Sequence, residues 1–167
     1  MMQDSWEAVN QVNDMPKEKI STIRAAALLH DIGKMSIPDS IRNKEGTLTE
    51  KEWEQIKTHP QAGVEILRHV INLINCLPTI LHHHEHYDGS GYPSGLKGED
   101  IPSEARILAI ADAYDAMTSL RSYRERLAPQ QALDELKRCA GTQFDPVLVD
   151  IFCKMMQPTL VKELDMR

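Results

Sequence analysis

Four prolines set most of what this chain can become. Pro60, Pro78, Pro129 and Pro146 each stand at the head of a segment that reads as a helix. Proline lacks a backbone N–H and holds φ near −65°, so it fits a first helical turn and breaks what precedes it. The chain is therefore cut into short helices by its own punctuation.

Between the breaks, apolar residues recur at helical rather than alternating spacing. From Ile20, "ISTIRAAALLHDIGK" brings Ile23, Ala26, Ala27 and Leu29 near one another, with Gly33 as the expected stop. Residues 35–47, with Pro38, Asp39, Asn43 and Gly46, read as a loop. In "LTEKEWEQIKTH", Thr49 and Glu52 form a capping box. "PQAGVEILRHVINLI" sets Val64, Leu67, Ile71 and Ile74 on one expected stripe, and "PTILHHHEH" is a short helix. Residues 87–102 hold four of the eight glycines and read as loop. Ser103 is the expected N-cap of "SEARILAIADAYDAMTSL", and "PQQALDELKRCAG" and "PVLVDIFCKMM" follow. No strand run and no repeat is visible. The expected fold is all-α, a compact bundle of six to seven helices over residues 20–160. Residues 1–19 read as a loose lead-in and 161–167 as a tail.

Net charge is −6, so no general basic field attracts a nucleic acid polymer. No apolar stretch reaches membrane-spanning length, and "MMQDSWEAVN" lacks the basic-then-apolar pattern of a signal peptide. Cys76, Cys139 and Cys153 match neither a disulfide framework nor a zinc-knuckle spacing. They read as free thiols, which points to a reducing, cytoplasmic location.

"HHHEHYDGSGYP" (82–93) puts four of the seven histidines within five positions. Three readings suit such a cluster: a tag, excluded mid-chain; a solvated turn; or one wall of a metal site. Other ligand-type residues stand near helix ends. His30 and Asp31 are adjacent, His59 opens a helix, and His83 and His84 form a second pair. Asp112 and Asp115 share a helix face, with Asp112 among Ile110, Ala111, Ala113 and Met117. Neighbours on a helix point about 100° apart, so one ion cannot easily take both members of a pair from a regular turn. Two ions can, with Asp31 bridging. A mixed nitrogen and oxygen donor set suits Mn, Fe or similar divalent ions better than a structural zinc.

"HDIGK", "THP", "HHHEHYDGSGYP" and "ADAYDAMTSLRSYR" follow the order of an HD-GYP domain, and the chain resembles that subgroup of HD phosphohydrolases over about residues 24–157. The resemblance implies an all-helical metal-dependent phosphodiesterase that hydrolyses cyclic di-GMP, a bacterial second messenger, to pGpG or GMP by a metal-activated water. It implies two divalent ions, Fe or Mn, with a third in some members. The matching ligands are His30, Asp31, His59, His83, His84 and Asp112, with Asp31 bridging. Lys34 resembles a lysine that meets a phosphate oxygen or the attacking hydroxide, so Asp31 and Lys34 are the expected catalytic pair. Arg121 and Arg124 resemble phosphate-holding residues, and Asp88, Gly89, Gly91, Tyr92 and Pro93 the segment that shapes a guanine-nucleotide pocket. His82 and His86 are left over, and the favoured reading is that they are solvated.

One departure stands out. The family has an earlier helix carrying a metal-binding His and sometimes a Glu, and no His precedes His30 here. Two alternatives to a working phosphodiesterase therefore stay open: a catalytically impaired module that binds cyclic di-GMP or a partner protein, and another HD-type nucleotide phosphohydrolase. A homodimer that lends the missing helix, or an upstream sensory or receiver domain, are the expected protein partners.

Overall fold

The computed structural model describes residues 15–119 and 126–165. Among them the fold is all-α, as expected. The helices are α1 (Lys17–Leu29), α2 (Asp39–Arg42), α3 (Glu50–Ile56), α4 (His59–Leu67), α5 (Leu77–His82), α6 (Ser103–Thr118), α7 (Pro129–Arg138) and α8 (Pro146–Asp165). Short 3₁₀ segments cover Ile32–Ser36, Ile71–Cys76 and Gly98–Asp100.

Helix α6 is the centre of the bundle and packs against α1, α5, α7 and α8. It buries Ala105, Ile107, Leu108, Ile110, Ala111 and Tyr114, on more than one face, which is what a helix enclosed on several sides needs. Ile23, Ala26 and Ala27 of α1 join the same core, as do Ala132, Leu133 and Leu136 of α7 and Val149, Phe152 and Cys153 of α8. Each buried Leu, Ile or Phe removes enough apolar surface from water to contribute about 1.5–3 kcal/mol. Tyr114 and Phe152 meet edge to face across α6 and α8 at 5.3 Å.

Local chemistry explains the element ends. The capping box at α3 forms: Thr49 Oγ1 accepts the Glu52 amide, and the Thr49 amide donates to Glu52 Oε2 at 2.7 Å. Pro60 lies in the first turn of α4. Ser103, expected as an N-cap, is instead the first residue of α6. Pro102 takes the cap position, and its carbonyl accepts the Ala105 and Arg106 amides. The Ser103 hydroxyl donates to Glu104 instead.

Three further expectations are corrected. Residues 35–47, expected as loop, contain the short helix α2. The stripe Val64–Leu67–Ile71–Ile74 does not exist, because α4 ends at Leu67 and Val70 is extended. The 3₁₀ turn that follows, with three residues per turn, directs Leu73 and Cys76 inward. Ile71 is left 82% exposed and Ile74 49% exposed. Gly33 does not terminate α1, which stops at Leu29; it is buried inside the 3₁₀ segment Ile32–Ser36. A β-carbon there would overlap the His59 carbonyl oxygen and lie 2.5 Å from the Gly63 amide nitrogen. The bare glycine lets the chain after Asp31 lie directly on the start of α4.

Candidate metal centre

Every imidazole of the candidate centre sits at a helix end. His30 is the C-cap residue of α1 and His83 that of α5. His59 opens α4 immediately after α3. His84 follows His83, and Asp31 follows His30. The last carbonyls of a helix have no intrahelical donor, and the rings use them. His30 Nδ1 donates to the Ala27 carbonyl at 2.9 Å, His59 Nδ1 to Ile56 at 2.8 Å and His83 Nδ1 to Ile80 at 2.7 Å. Each bond runs from a ring to a carbonyl three residues earlier.

This arrangement fixes the tautomer. A carbonyl can only accept, so in all three rings the proton is on Nδ1. When the ring is neutral, Nε2 then carries a lone pair, the form in which imidazole binds metal. The Nε2 atoms of His59 and His83 lie 3.5 Å apart. His59 Nε2 is 3.6 Å from Asp31 Oδ1. That oxygen is buried and has no hydrogen-bond partner among the described residues. Asp31, His59, His83 and His84 offer ligand atoms that all lie within 4.8 Å of one another. Next to them, His30 Nε2 is 3.6 Å from both Asp31 Oδ2 and Asp112 Oδ1. The His59 and His83 lone pairs and Asp31 Oδ1 facing one another without protons are unfavourable unless a cation joins them. The donor set therefore fits divalent metal.

The electrostatics agree. Burial lowers the His59 pKa and takes His83 well below the usual imidazole range. Burial and the facing His59 push His84 down to about 3. Burial acts to raise Asp112, but His30 and the other imidazoles prevail and bring it to about 2. His30 is the exception: burial alone would lower it, yet Asp112 and Asp31 raise it. Three rings are held neutral, and the fourth is the one between two carboxylates.

The helical-turn argument for separating adjacent residues does not apply here. His30 and Asp31 lie past the end of α1, and the bend brings their side chains to 3.6 Å. His83 and His84 likewise converge, with ring centroids 4.0 Å apart. All six expected ligands are in one neighbourhood. Lys34 Nζ donates to Asp31 Oδ2 at 2.7 Å. A pocket beside the cluster is lined by His83, His84, Glu85, His86, Ala109, Asp112, Ala113 and Gln143.

The glycine-rich loop folds back over the end of α5. The Tyr92 amide donates to the His84 carbonyl, and the Tyr92 ring stacks on His84 at 4.9 Å with 27° between planes. Gly91 lies so close to the backbone of His84, Glu85 and His86 that a β-carbon would overlap them. The Tyr92–Pro93 bond is cis. Gly89 has φ +87° in the turn that precedes them. Asp88 is exposed and uses Oδ1 to accept the Ser90 amide at 2.9 Å, a local turn bond. Arg121 and Arg124 lie outside the described residues. His82 and His86 are not simply solvated. His82 Nδ1 faces Glu85 at 3.5 Å with 14% of its side chain exposed, and His86 Nδ1 meets Ser90 Oγ at 3.0 Å. Glu85, although it stands inside the histidine motif, and Gln143 carry no role that the sequence alone assigns.

Similarity to known proteins identifies the family. The family model described as HD domain matches residues 2–148. The cyclic di-GMP phosphodiesterase response regulator RpfG of Xanthomonas campestris is 47% identical over 138 residues, covering 81% of this chain and 36% of that protein. The cyclic di-GMP phosphodiesterase of Thermotoga maritima is 42% identical over 138 residues, covering 81% and 38%. A 3'3'-cGAMP-specific phosphodiesterase of Vibrio cholerae is 41% identical over 147 residues, covering 87% and 28%. The chain thus spans about a third of the length of these relatives. In fold it is similar to an HDG"Y"P protein from Bdellovibrio bacteriovorus, with a TM-score of 0.70 at 18% identity, covering 90% of this chain and 48% of that one. Helices, motif order and these matches together make the chain a member of the HD-domain family, in its HD-GYP branch.

Proposed function

We propose that this chain is the catalytic domain of a metal-dependent phosphodiesterase that hydrolyses cyclic di-GMP to pGpG or GMP. The observation that carries the reading is the buried, unpartnered Asp31 Oδ1 beside the Nε2 atoms of His59 and His83. Asp31, His59, His83 and His84 would hold one divalent ion. Asp31 with His30 and Asp112 would hold a second. Fe or Mn suits this donor set, and the family resemblance leaves room for a third ion. When bound, such ions neutralise a phosphodiester and supply hydroxide near neutral pH. The protein's own part is positional. Asp31 is shared between the two groups, and Lys34 beside it adds a positive charge where a phosphate oxygen enters. Tyr92, Gly89, Gly91 and Pro93 border the base pocket, Asp88 shapes its turn, and Arg121 and Arg124 hold phosphates. Residues 20–160 form the working unit, cytoplasmic and joined to a sensory or receiver domain or to a second copy. No helix among the described residues is long and apolar enough to cross a membrane.

The relatives named for 3'3'-cGAMP support a second substrate reading, a mixed cyclic dinucleotide. The test is turnover by protein loaded with Mn or Fe under anaerobic conditions, offered cyclic di-GMP, 3'3'-cGAMP or a nucleoside triphosphate. Release of pGpG or GMP from cyclic di-GMP alone supports the first reading. Preference for the mixed nucleotide supports the second. Binding without hydrolysis in excess metal overturns both and identifies a binding module.

A further inference from the structure

Glu85 has no role in the metal centre described above, although it directly follows His84. Its side chain is 0% exposed. A buried carboxylate persists only where donors compensate its lost hydration. Here two come from the loop, beside His82 Nδ1 at 3.5 Å. Oε1 accepts the Ser94 amide at 2.7 Å and Oε2 the Leu96 amide at 3.1 Å. With the Tyr92 amide on the His84 carbonyl at 3.1 Å, every second amide from 92 to 96 is tied to residues 84–85. Gly91 makes that approach sterically open. Glu85 also lines the pocket beside His83, His84 and Asp112.

We propose that Glu85 is a positioning residue whose two bonds to the Ser94 and Leu96 amides hold Tyr92 stacked on His84 and so fix the nucleotide-facing wall of the pocket. It sets how the cyclic dinucleotide is seated and leaves the metal ligands in place. This rests on the phosphodiesterase reading for its kinetic readout only. The carboxylate is matched to its task, because two oxygens on one planar group meet two amides two residues apart. An amide side chain keeps one acceptor and faces the second N–H with a donor. A shorter or apolar side chain keeps neither bond.

The test compares the 167-residue chain with Glu85→Ala and Glu85→Gln in three measurements: bound Mn per chain, KM and kcat for cyclic di-GMP, and hydrogen exchange at the Ser94 and Leu96 amides. Loss of charge-assisted bonds predicts that Glu85→Ala raises KM by about tenfold or more. kcat should change far less, Mn content should stay at the parent value, and exchange at both amides should accelerate. Glu85→Gln should fall between, with only one amide deprotected. A fall in kcat at unchanged KM, or loss of Mn, overturns the proposal and makes Glu85 part of the metal centre. If Glu85→Ala does not fold, the graded behaviour of Glu85→Gln decides in the same way. If the parent chain turns over no cyclic di-GMP, the functional reading fails by itself. Unchanged exchange at both amides would still overturn the role of Glu85.

Discussion

Replacing Gly33 by alanine should damage the metal centre without touching a ligand. The added methyl would overlap the His59 carbonyl oxygen, reach 2.9 Å from the His59 carbonyl carbon and 2.5 Å from the Gly63 amide nitrogen. All three are backbone atoms at the start of α4, so no side-chain rotation relieves the clash. The two backbones must separate by about an ångström, and overpacking of this kind costs roughly 1–3 kcal/mol. For a chain of 167 residues that lowers Tm by about 3–10 °C. Asp31 and His59 sit on opposite sides of the gap, with Oδ1 and Nε2 3.6 Å apart. Parting them should weaken Mn binding at least about tenfold, since a misplaced ligand forfeits 1.4 kcal/mol easily. Calorimetry gives both quantities on one sample. Gly63→Ala is the internal control: its methyl would meet nothing closer than 3.5 Å, and alanine inside a helix gains up to about 1 kcal/mol over glycine. A Gly33→Ala protein with the parent's Tm and Mn affinity would refute the close-approach argument, as would equal damage from both variants.

Three more outcomes follow from the same geometry. Asp31→Asn, equal in shape, should lose nearly all bound Mn and all turnover while keeping its helical circular dichroism; retained metal would remove Asp31 from the centre. The metal-free chain should lose thermal stability as pH falls below about 6.5. His59, His83 and His84 have folded pKa values below the usual 6.5, about 3 for His84, so their contribution is full above 6.5 and is lost as pH drops toward the folded values. His30, raised, acts in the opposite sense, stabilising at low pH and losing that contribution as pH rises through its folded value. Three rings outweigh one, and a Tm that rises on acidification from pH 7 to 5 would contradict the assignment. Arg106→Ala should cost about 1–3 kcal/mol in urea denaturation, because it removes the Arg106 Nη1 bond to Asp145, which is almost fully buried and keeps only the Val147 and Leu148 amides on Oδ1. A loss under 1 kcal/mol would mean that water reaches that carboxylate.

What the sequence made legible, and what it hid, divides along the range of the interaction. The capping box of Thr49 and Glu52, the helix start at Pro60 and the His–Asp and His–His pairs are local, so spacing alone exposes them. The motif residues could be named as ligands because their order along the chain is distinctive. The Gly33 contact with α4 joins segments about 26 to 30 residues apart, and its signature is a missing atom. The Arg106–Asp145 pair spans 39 positions and leaves no periodicity. Glu85 reads as an ordinary polar residue in a histidine run until the loop's amides are seen to converge on it. The apolar stripe through Ile71 and Ile74 failed for another reason. It runs across two segments of different helical pitch, each locally apolar.

The arrangement also explains why histidines gather at helix ends in this chain. A helix C-terminus offers unpaired carbonyls and a negative dipole end, both attractive to an imidazole N–H. His30, His59 and His83 accept that offer with Nδ1, and in doing so they commit Nε2 to the space where the ends of α1, α3 and α5 meet. Ring orientation is thereby set by backbone hydrogen bonds formed as the helices fold, with no separate cost for ordering each side chain at the moment of binding. The same three bonds that finish the helices prepare the ligands, so a change that frays any of these ends should weaken metal affinity and stability together. Asp31 completes the logic: it lies past the end of α1, free of helical constraint, and can turn one oxygen toward His59 and the other toward His30 and Lys34. A carboxylate inside a regular helix could not face both groups.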